Sequence, residues 1–115
     1  MEELRMKLSV IIPAAGQGKR MKTEKNKQFL LLADKEILAH TINKFERESM
    51  VDEIIVVATE EEIDYCREEV VKKYKFEKVS QVIAGGETRQ DSVHNGLKAV
   101  AKSSNYVLIH DGARP

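Results

Sequence analysis

The segment LSVIIPAAGQGKR, residues 8–20, joins an apolar run to a turn of small residues and then to two cations. Val and Ile dominate the run, which is typical of a strand buried on both faces of a parallel sheet. The glycines that follow allow backbone N–H groups to approach an anion closely. The segment therefore predicts a strand from Leu8 to Ile12 that leads directly into an anion-binding loop.

Cations are concentrated around and beyond this turn. A bound polyphosphate would use many positive charges, whereas a solvated basic loop is the simpler interpretation of the segment taken alone. Two familiar phosphate patterns do not fit, because the dinucleotide fingerprint needs a small residue where Met21 stands and the Walker pattern needs four residues between its glycines. Five of the nineteen Lys and Arg residues lie here: Lys19, Arg20, Lys22, Lys25 and Lys27.

Three further apolar runs predict strands, namely Glu53 to Ala58, Val79 to Ala84 and Tyr106 to Ile109. Apolar residues at helical spacing lie between the runs, so strands and helices alternate along the chain. This order predicts an α/β fold, a Rossmann-like doubly wound parallel sheet with three α/β/α layers. The helical stripes are Ile37, Leu38, Thr41, Ile42 and Phe45; Ile63, Cys66, Val70 and Val71; and Val93, Leu97, Val100 and Ala101.

Local signals refine this outline. Thr59 precedes Glu62 at the spacing of a capping box, and Thr88 is placed to cap the third helix. The run from Gln28 to Leu32 predicts a small additional strand.

The composition excludes several classes of function. Nineteen Lys and Arg residues balance nineteen Asp and Glu residues, which argues against a nucleic-acid or membrane-surface binder held by long-range electrostatics. Cys66 is the only cysteine, so an internal disulfide is excluded and a reducing compartment is expected. No run approaches the length of a membrane span, and the first residues do not form a secretion signal. We therefore expect one soluble, cytoplasmic unit.

Three of the four predicted strands end in unusual loops. Strand one runs into residues 13–20, strand three into 85–92 and strand four into 110–115. In an open parallel sheet, ligands bind beyond the carboxyl ends of the strands, near the point where the strand order reverses. With the common order 3-2-1-4, the lysine-rich loop would lie beside Asp111. We expect the three loops to meet at one edge and to form one site.

Four motifs follow one another along the chain. They are Pro13-Ala14-Ala15-Gly16-x-Gly18-x-Arg20-Met21, Lys27-Gln28, Gly85-Gly86-x-x-Arg89-x-Asp91-Ser92-Val93 and His110-Asp111-x-Ala113-Arg114-Pro115. In order and spacing they resemble the 2-C-methyl-D-erythritol 4-phosphate cytidylyltransferase family of non-mevalonate isoprenoid biosynthesis. Ribitol 5-phosphate cytidylyltransferases usually have a Leu-Ala-Gly-Gly type of loop instead, so the sequence Pro-Ala-Ala favours the erythritol family.

The chain departs from the family pattern in three places. Asn26 stands where the family usually has proline, Gly112 replaces a residue that is often alanine, and family members continue beyond Pro115. The resemblance therefore implies that residues 1–115 are the nucleotide-binding, amino-terminal portion of a single nucleotidyltransferase domain, with a truncated fold. The remaining portion would complete the sheet and form a homodimer, and the 115 residues alone would have little activity.

The reaction that the resemblance implies is cytidylyl transfer from CTP to 2-C-methyl-D-erythritol 4-phosphate, with release of pyrophosphate. Arg20 and Lys27 match the catalytic cations, Asp111 matches a ligand of the cofactor Mg²⁺, and Arg114 matches a residue that meets the phosphate of the second substrate. The implied nucleotide-binding residues are Ala14, Ala15, Gly16, Gly18, Gly85, Gly86, Glu87 and Ser92. Two alternatives remain open: a ribitol 5-phosphate cytidylyltransferase and a noncatalytic nucleotide-binding module.

Overall fold

The computed structural model describes residues 7–14, 38–100, 102 and 104–111. Within these ranges, no helix is long and apolar enough to cross a membrane. Helix α2 is composite: a 3-10 turn (Glu60–Glu62) leads into an α-helical turn (Ile63–Cys66) and then a π-helical stretch (Arg67–Lys72). The other elements are β1 (Leu8–Pro13), α1 (38–46), β2 (Glu53–Ala58), β3 (Val79–Ala84), α3 (Arg89–Ala99) and β4 (Tyr106–Ile109).

The described strands form one parallel sheet in the order β3-β2-β1-β4. Ile11 at the centre of β1 is paired with Ile55 on one side and with Ile109 on the other. This confirms the expected order, in which β1 and β4 flank the reversal. The four strands also have their predicted bounds, except that β1 includes Pro13.

The helices cover both faces of the sheet, as the alternating pattern predicts. On one face, α1 and α2 bury Leu38, Ile42 and Val70 against alternate residues of β1 and β2. On the other face, α3 contributes Ala99 to a smaller cluster around Ile11, Ile55 and Val57. Because successive strand residues point to opposite faces, β1 and β2 supply both cores and are buried almost completely.

Helix α3 does not use the stripe that its sequence predicts. Its buried residues are Ser92 and Gly96, whereas Leu97 is 46% exposed. A Cβ placed on Gly96 would lie 2.7 Å from Cγ2 of Ile11, so the helix approaches the sheet too closely for a larger residue. The predicted stripe was therefore wrong at Leu97, because close helix–sheet contact at glycine decided the rotation of α3.

Two other local predictions differ from the structure. Thr59 is the N-cap of the 3-10 turn, but its side chain makes no capping hydrogen bond, and the N–H of Glu62 donates to the Thr59 carbonyl at 2.9 Å instead. The tight 3-10 start satisfies this N–H through the backbone, so the capping box does not form. The predicted strand at 28–32 and the stripe residues Ile37 and Ala101 lie outside the described residues.

Strand β4 was expected to be buried on both faces, and this expectation was wrong. All four of its side chains are exposed, from 38% at Ile109 to 57% at Tyr106. In the part of the chain that the structure describes, β4 pairs with β1 alone and therefore has a free edge.

A polar cluster centred on the buried Ser9 and Glu53 ties the strands together at the amino-terminal edge of the sheet. The hydroxyl of Ser9 on β1 donates to the Glu53 carboxylate on β2 at 2.7 Å, and Ser80 on β3 donates to the same carboxylate at 2.9 Å. Ser104, which precedes β4, is 2.8 Å from the Ser9 hydroxyl. These contacts fix the strand register at one edge, and the opposite edge is where the sequence places its unusual loops.

Candidate functional site

At the carboxyl ends of β1 and β3, the first residue of each following loop continues the hydrogen bonding of the sheet. The N–H of Ala14 donates to the Val57 carbonyl at 2.7 Å, which continues the β1–β2 ladder beyond β1. The N–H of Gly85 donates to the Ala58 carbonyl at 2.8 Å and continues the ladder beyond β3 in the same way. Backbone hydrogen bonding therefore fixes where each loop leaves the sheet.

The Gly85–Gly86 loop folds back onto the first turns of α3. The N–H of Gly86 donates to the Ser92 hydroxyl at 3.2 Å, and Ser92 is only 1% exposed. A Cβ on residue 86 would overlap the Cβ of Asp91, so this close return of the chain requires glycine. Thr88 caps α3 as predicted, because its hydroxyl accepts from the N–H of Asp91 at 3.0 Å.

Two of the predicted nucleotide-binding residues, Glu87 and Ser92, have different surroundings. Glu87 is exposed at the tip of this loop. Ser92 is buried beneath it, and its oxygen already accepts from Gly86. The hydroxyl hydrogen of Ser92 is still a donor, because a serine oxygen that accepts one bond keeps its own O–H.

Asn95 is a residue of this region that the sequence reasoning missed. Its side-chain amide donates to the carbonyl of Ala84, the last residue of β3, at 3.2 Å. Its position three residues after Ser92 places both side chains on one face of α3. This spacing is the sequence signal by which Asn95 could have been identified.

At the end of β4, His110 is held against both the sheet and α1. The N–H of His110 donates to the Ile11 carbonyl at 2.9 Å, and its ring meets the ring of Phe45 edge-to-face at a centroid distance of 5.1 Å. Its Nδ1 is 2.9 Å from the Asp111 carbonyl; because a carbonyl only accepts, Nδ1 carries the hydrogen. Asp111 itself is half-buried at the site edge.

The loops that follow β3 and β4 lie on opposite sides of β1 and β2. Neighbouring strands are about 4.8 Å apart, so three spacings separate these two loops by about 14 Å. This is an extended edge, to which the Gly85–Gly86 loop contributes at one end and Asp111 at the other. Six of the predicted site residues lie outside the described residues: Ala15, Gly16, Gly18, Arg20, Lys27 and Arg114.

The chemistry of the described edge is that of binding and orientation. Backbone N–H groups, a hydroxyl and a carboxylate are present, and the described residues contain no group of three or more His, Cys, Asp or Glu side chains that would enclose a metal. Cys66 belongs to the hydrophobic core, where burial, together with the nearby Glu62 charge, raises the pKa of its thiol to about 12. Its thiol therefore stays protonated at neutral pH and is not a nucleophile.

Comparison with known proteins gives one consistent result. Residues 8–115 match the family model described as 2-C-methyl-D-erythritol 4-phosphate cytidylyltransferase. The curated protein of that name from Clostridium acetobutylicum is 63% identical over 105 residues, which are 91% of this chain and 45% of that protein. The protein of the same name from Clostridium botulinum strain 657 is 53% identical over 109 residues, 95% of this chain and 47% of that protein.

Solved structures agree with this match. The crystal structure of 4-diphosphocytidyl-2C-methyl-D-erythritol synthase from Anaerococcus prevotii superimposes with a TM-score of 0.67 at 32% identity, over 96% of this chain and 45% of that one. A second crystal structure of a synthase of this name has a TM-score of 0.65 at 30% identity, over 97% and 49%. The chain thus spans about half the length of the curated relatives and structures that it matches.

Proposed function

This chain belongs to the 2-C-methyl-D-erythritol 4-phosphate cytidylyltransferase family, and on that premise we propose that it provides the nucleotide site of an enzyme that transfers the cytidylyl group of CTP to 2-C-methyl-D-erythritol 4-phosphate. The products are 4-diphosphocytidyl-2-C-methyl-D-erythritol and pyrophosphate. The main support is the family match over residues 8–115. A second support is the position of the Gly85–Gly86 loop and of Asp111 at the carboxyl edge of the sheet, where open parallel sheets bind their ligands.

In the proposed reaction, a phosphate oxygen of methylerythritol phosphate attacks the α-phosphorus of CTP. The bond from the α-phosphorus to the oxygen bridging it to the β-phosphate breaks, and its electron pair leaves with pyrophosphate. No covalent intermediate with the protein is needed, so the task of the protein is positioning and charge stabilisation.

Arg20 and Lys27 are proposed to stabilise the charge that accumulates on the phosphates. A guanidinium forms paired hydrogen bonds with two phosphate oxygens, and an ammonium acts as a compact charge. Ala14, Ala15, Gly16 and Gly18 would carry the loop backbone around the nucleotide. Arg114 would meet the phosphate of methylerythritol phosphate.

The Gly85–Gly86 loop, with Glu87 and Ser92, is proposed to read the cytosine edge. A site that hydrogen-bonds the polar groups of one base rejects a base that leaves those groups unpaired. The buried Ser92 hydroxyl accepts from the Gly86 N–H, so its proposed part is to hold the loop backbone that meets the base.

Asp111 is proposed to hold Mg²⁺. A carboxylate oxygen suits this ion, which commonly takes one or two carboxylates and completes its shell with phosphate oxygens and water, so Asp111 fits as one of its ligands. When bound, the ion would neutralise charge on the triphosphate. We further propose that the complete enzyme is a homodimer, as the resemblance to the family implies, and that it is cytoplasmic, as the single cysteine indicates.

The test of the proposed function is turnover by a hybrid enzyme. This chain would be joined to the part of the Clostridium acetobutylicum relative that lies beyond the matched segment. CTP and Mg²⁺ would then be supplied with 2-C-methyl-D-erythritol 4-phosphate or with ribitol 5-phosphate. We expect pyrophosphate release with the first sugar phosphate and at least a hundredfold less with the second. A reversed preference would identify the ribitol activity, and CTP binding without turnover would favour a noncatalytic module.

A further inference from the structure

We propose that Asn95 is a positioning residue of the nucleotide site, whose amide holds the Ala84–Gly85 peptide so that the following backbone faces the base. The inference rests on the proposed function, in which the Gly85–Gly86 loop reads cytosine. Asn95 lies outside the four motifs on which the family resemblance was based.

The hydrogen bonds of Asn95 and Gly85 hold one peptide unit from two sides. The Asn95 Nδ2 donates to the Ala84 carbonyl at 3.2 Å, and the N–H of Gly85 donates to the Ala58 carbonyl at 2.8 Å. The C=O and N–H of one trans peptide point in opposite directions. One bond therefore holds the peptide to β2 while the other holds it to α3, which limits its rotation.

The next peptide is held by the same helix. The N–H of Gly86 donates to the buried Ser92 hydroxyl at 3.2 Å, three residues before Asn95 along α3. One face of α3 thus fixes two consecutive peptides of the loop. In the described sheet β3 pairs only with β2, so the Ala84 carbonyl, which points away from β2, has no neighbouring strand to bond. The Asn95 amide donates to this carbonyl in place of a strand.

This arrangement affects recognition of the base rather than phosphoryl transfer. Cytosine and uracil differ in whether their edge donates or accepts hydrogen bonds. Backbone groups distinguish the two bases only when the directions of those backbone groups are fixed. Loss of the Asn95 bond should therefore weaken CTP binding and narrow the preference for CTP over UTP.

The chain contains a matched control for this test. The side-chain amide of Gln81 donates to the Ala99 carbonyl at 3.0 Å, so it too joins β3 and α3 through a side-chain amide and a backbone carbonyl. Gln81 lies in the amino-terminal half of β3, three residues before Ala84. Gln81→Glu and Asn95→Asp both remove an amide donor and add a carboxylate, but only the second change concerns the loop.

Calorimetric titration of the 115-residue chain with CTP and with UTP, each with Mg²⁺, tests the proposal. We expect Asn95→Asp to weaken CTP binding about tenfold and Asn95→Ala about threefold, as for loss of one hydrogen bond. UTP binding should change less, so the CTP preference should fall. Asn95→Gln, which keeps the amide, should retain most of the preference, and Gln81→Glu should stay within about twofold of the parent chain.

The outcomes separate this proposal from the proposed function. A parent chain that binds CTP while the Asn95 variants bind it equally well would overturn the positioning role alone. Equal losses of affinity in Asn95→Ala and Gln81→Glu would also overturn it, because they would indicate a general effect on folding. A parent chain that binds no CTP would overturn both proposals. Asn95→Ala introduces no charge, so it answers the question even if Asn95→Asp does not fold.

Discussion

At the scale of single residues, Gly86 is a crowded point in the described part of the candidate site. A Cβ at this position would overlap the Cβ of Asp91. Gly86→Ala should therefore push the loop away from α3, break the bond to Ser92 and weaken CTP binding at least tenfold in calorimetric titration.

The matched test keeps Gly86→Ala and also removes the atom that obstructs the added Cβ. Gly86→Ala combined with Asp91→Gly should recover most of the lost CTP affinity, although Asp91→Gly by itself should lower helix stability by about 1 kcal/mol. A double variant that binds as weakly as Gly86→Ala would show that the Asp91 contact is not the cause.

Cys66 makes a prediction about the pH dependence of stability. Burial raises the pKa of its thiol to about 12, whereas an unfolded cysteine ionises near about 8.5. Between these values the unfolded chain has released a proton that the native chain still holds. The contribution of the buried thiol to the free energy of unfolding is therefore fully present below about pH 8.5 and is lost as pH rises toward 12. The free energy of unfolding falls with a slope of at most about 1.4 kcal/mol per pH unit.

Urea unfolding of the parent chain and of Cys66→Ala at several pH values from 7 to 11 measures this effect. All other ionisable groups are present in both proteins, so the difference between the two curves isolates Cys66. We expect the free energy of unfolding to fall more steeply with pH in the parent chain. Parallel curves would contradict the assigned pKa.

At the scale of elements, Gly96 sets how closely α3 approaches the sheet and therefore where its Ser92 and Asn95 side chains reach. A Cβ here would lie 2.7 Å from Cγ2 of Ile11. Gly96→Ala should lower the free energy of unfolding by about 1–3 kcal/mol, despite the better helix propensity of alanine. Leu97→Ala, on the exposed side of the same turn, should change it by less than about 0.5 kcal/mol. Urea denaturation checks both, and the reverse ranking would mean that the predicted stripe was right.

The elements also show what the sequence could and could not predict. The bounds and order of the strands were predictable because β-branched runs and turn residues are local signals, and right-handed crossovers restrict the topology. The rotation of α3 was not predictable, because the contact of Gly96 with Ile11 joins residues distant in the sequence. The capping box at Thr59 failed for a similar reason, since the spacing does not reveal that the turn is a 3-10 turn.

At the scale of the whole molecule, three strand ends and the face of α3 build a single edge. The sequence predicted that Gly86 and Asp111 would lie at this edge, because the carboxyl ends of parallel strands meet there. It did not predict that Ser92 would be buried under the loop or that Asn95 would hold Ala84, because side-chain partners depend on tertiary packing. Arg20 and Lys27 at this edge remain predictions.

The most direct test of the central claim is a map of backbone amide chemical shifts as CTP and Mg²⁺ are added to the isotope-labelled chain. Because one nucleotide should lie along the carboxyl edge, we predict the largest changes at Ala14, Gly86 and Asp111. The polar cluster of Ser9, Glu53, Ser80 and Ser104 at the opposite edge should be unchanged. The largest changes at that cluster, or no changes with excess CTP, would contradict the account.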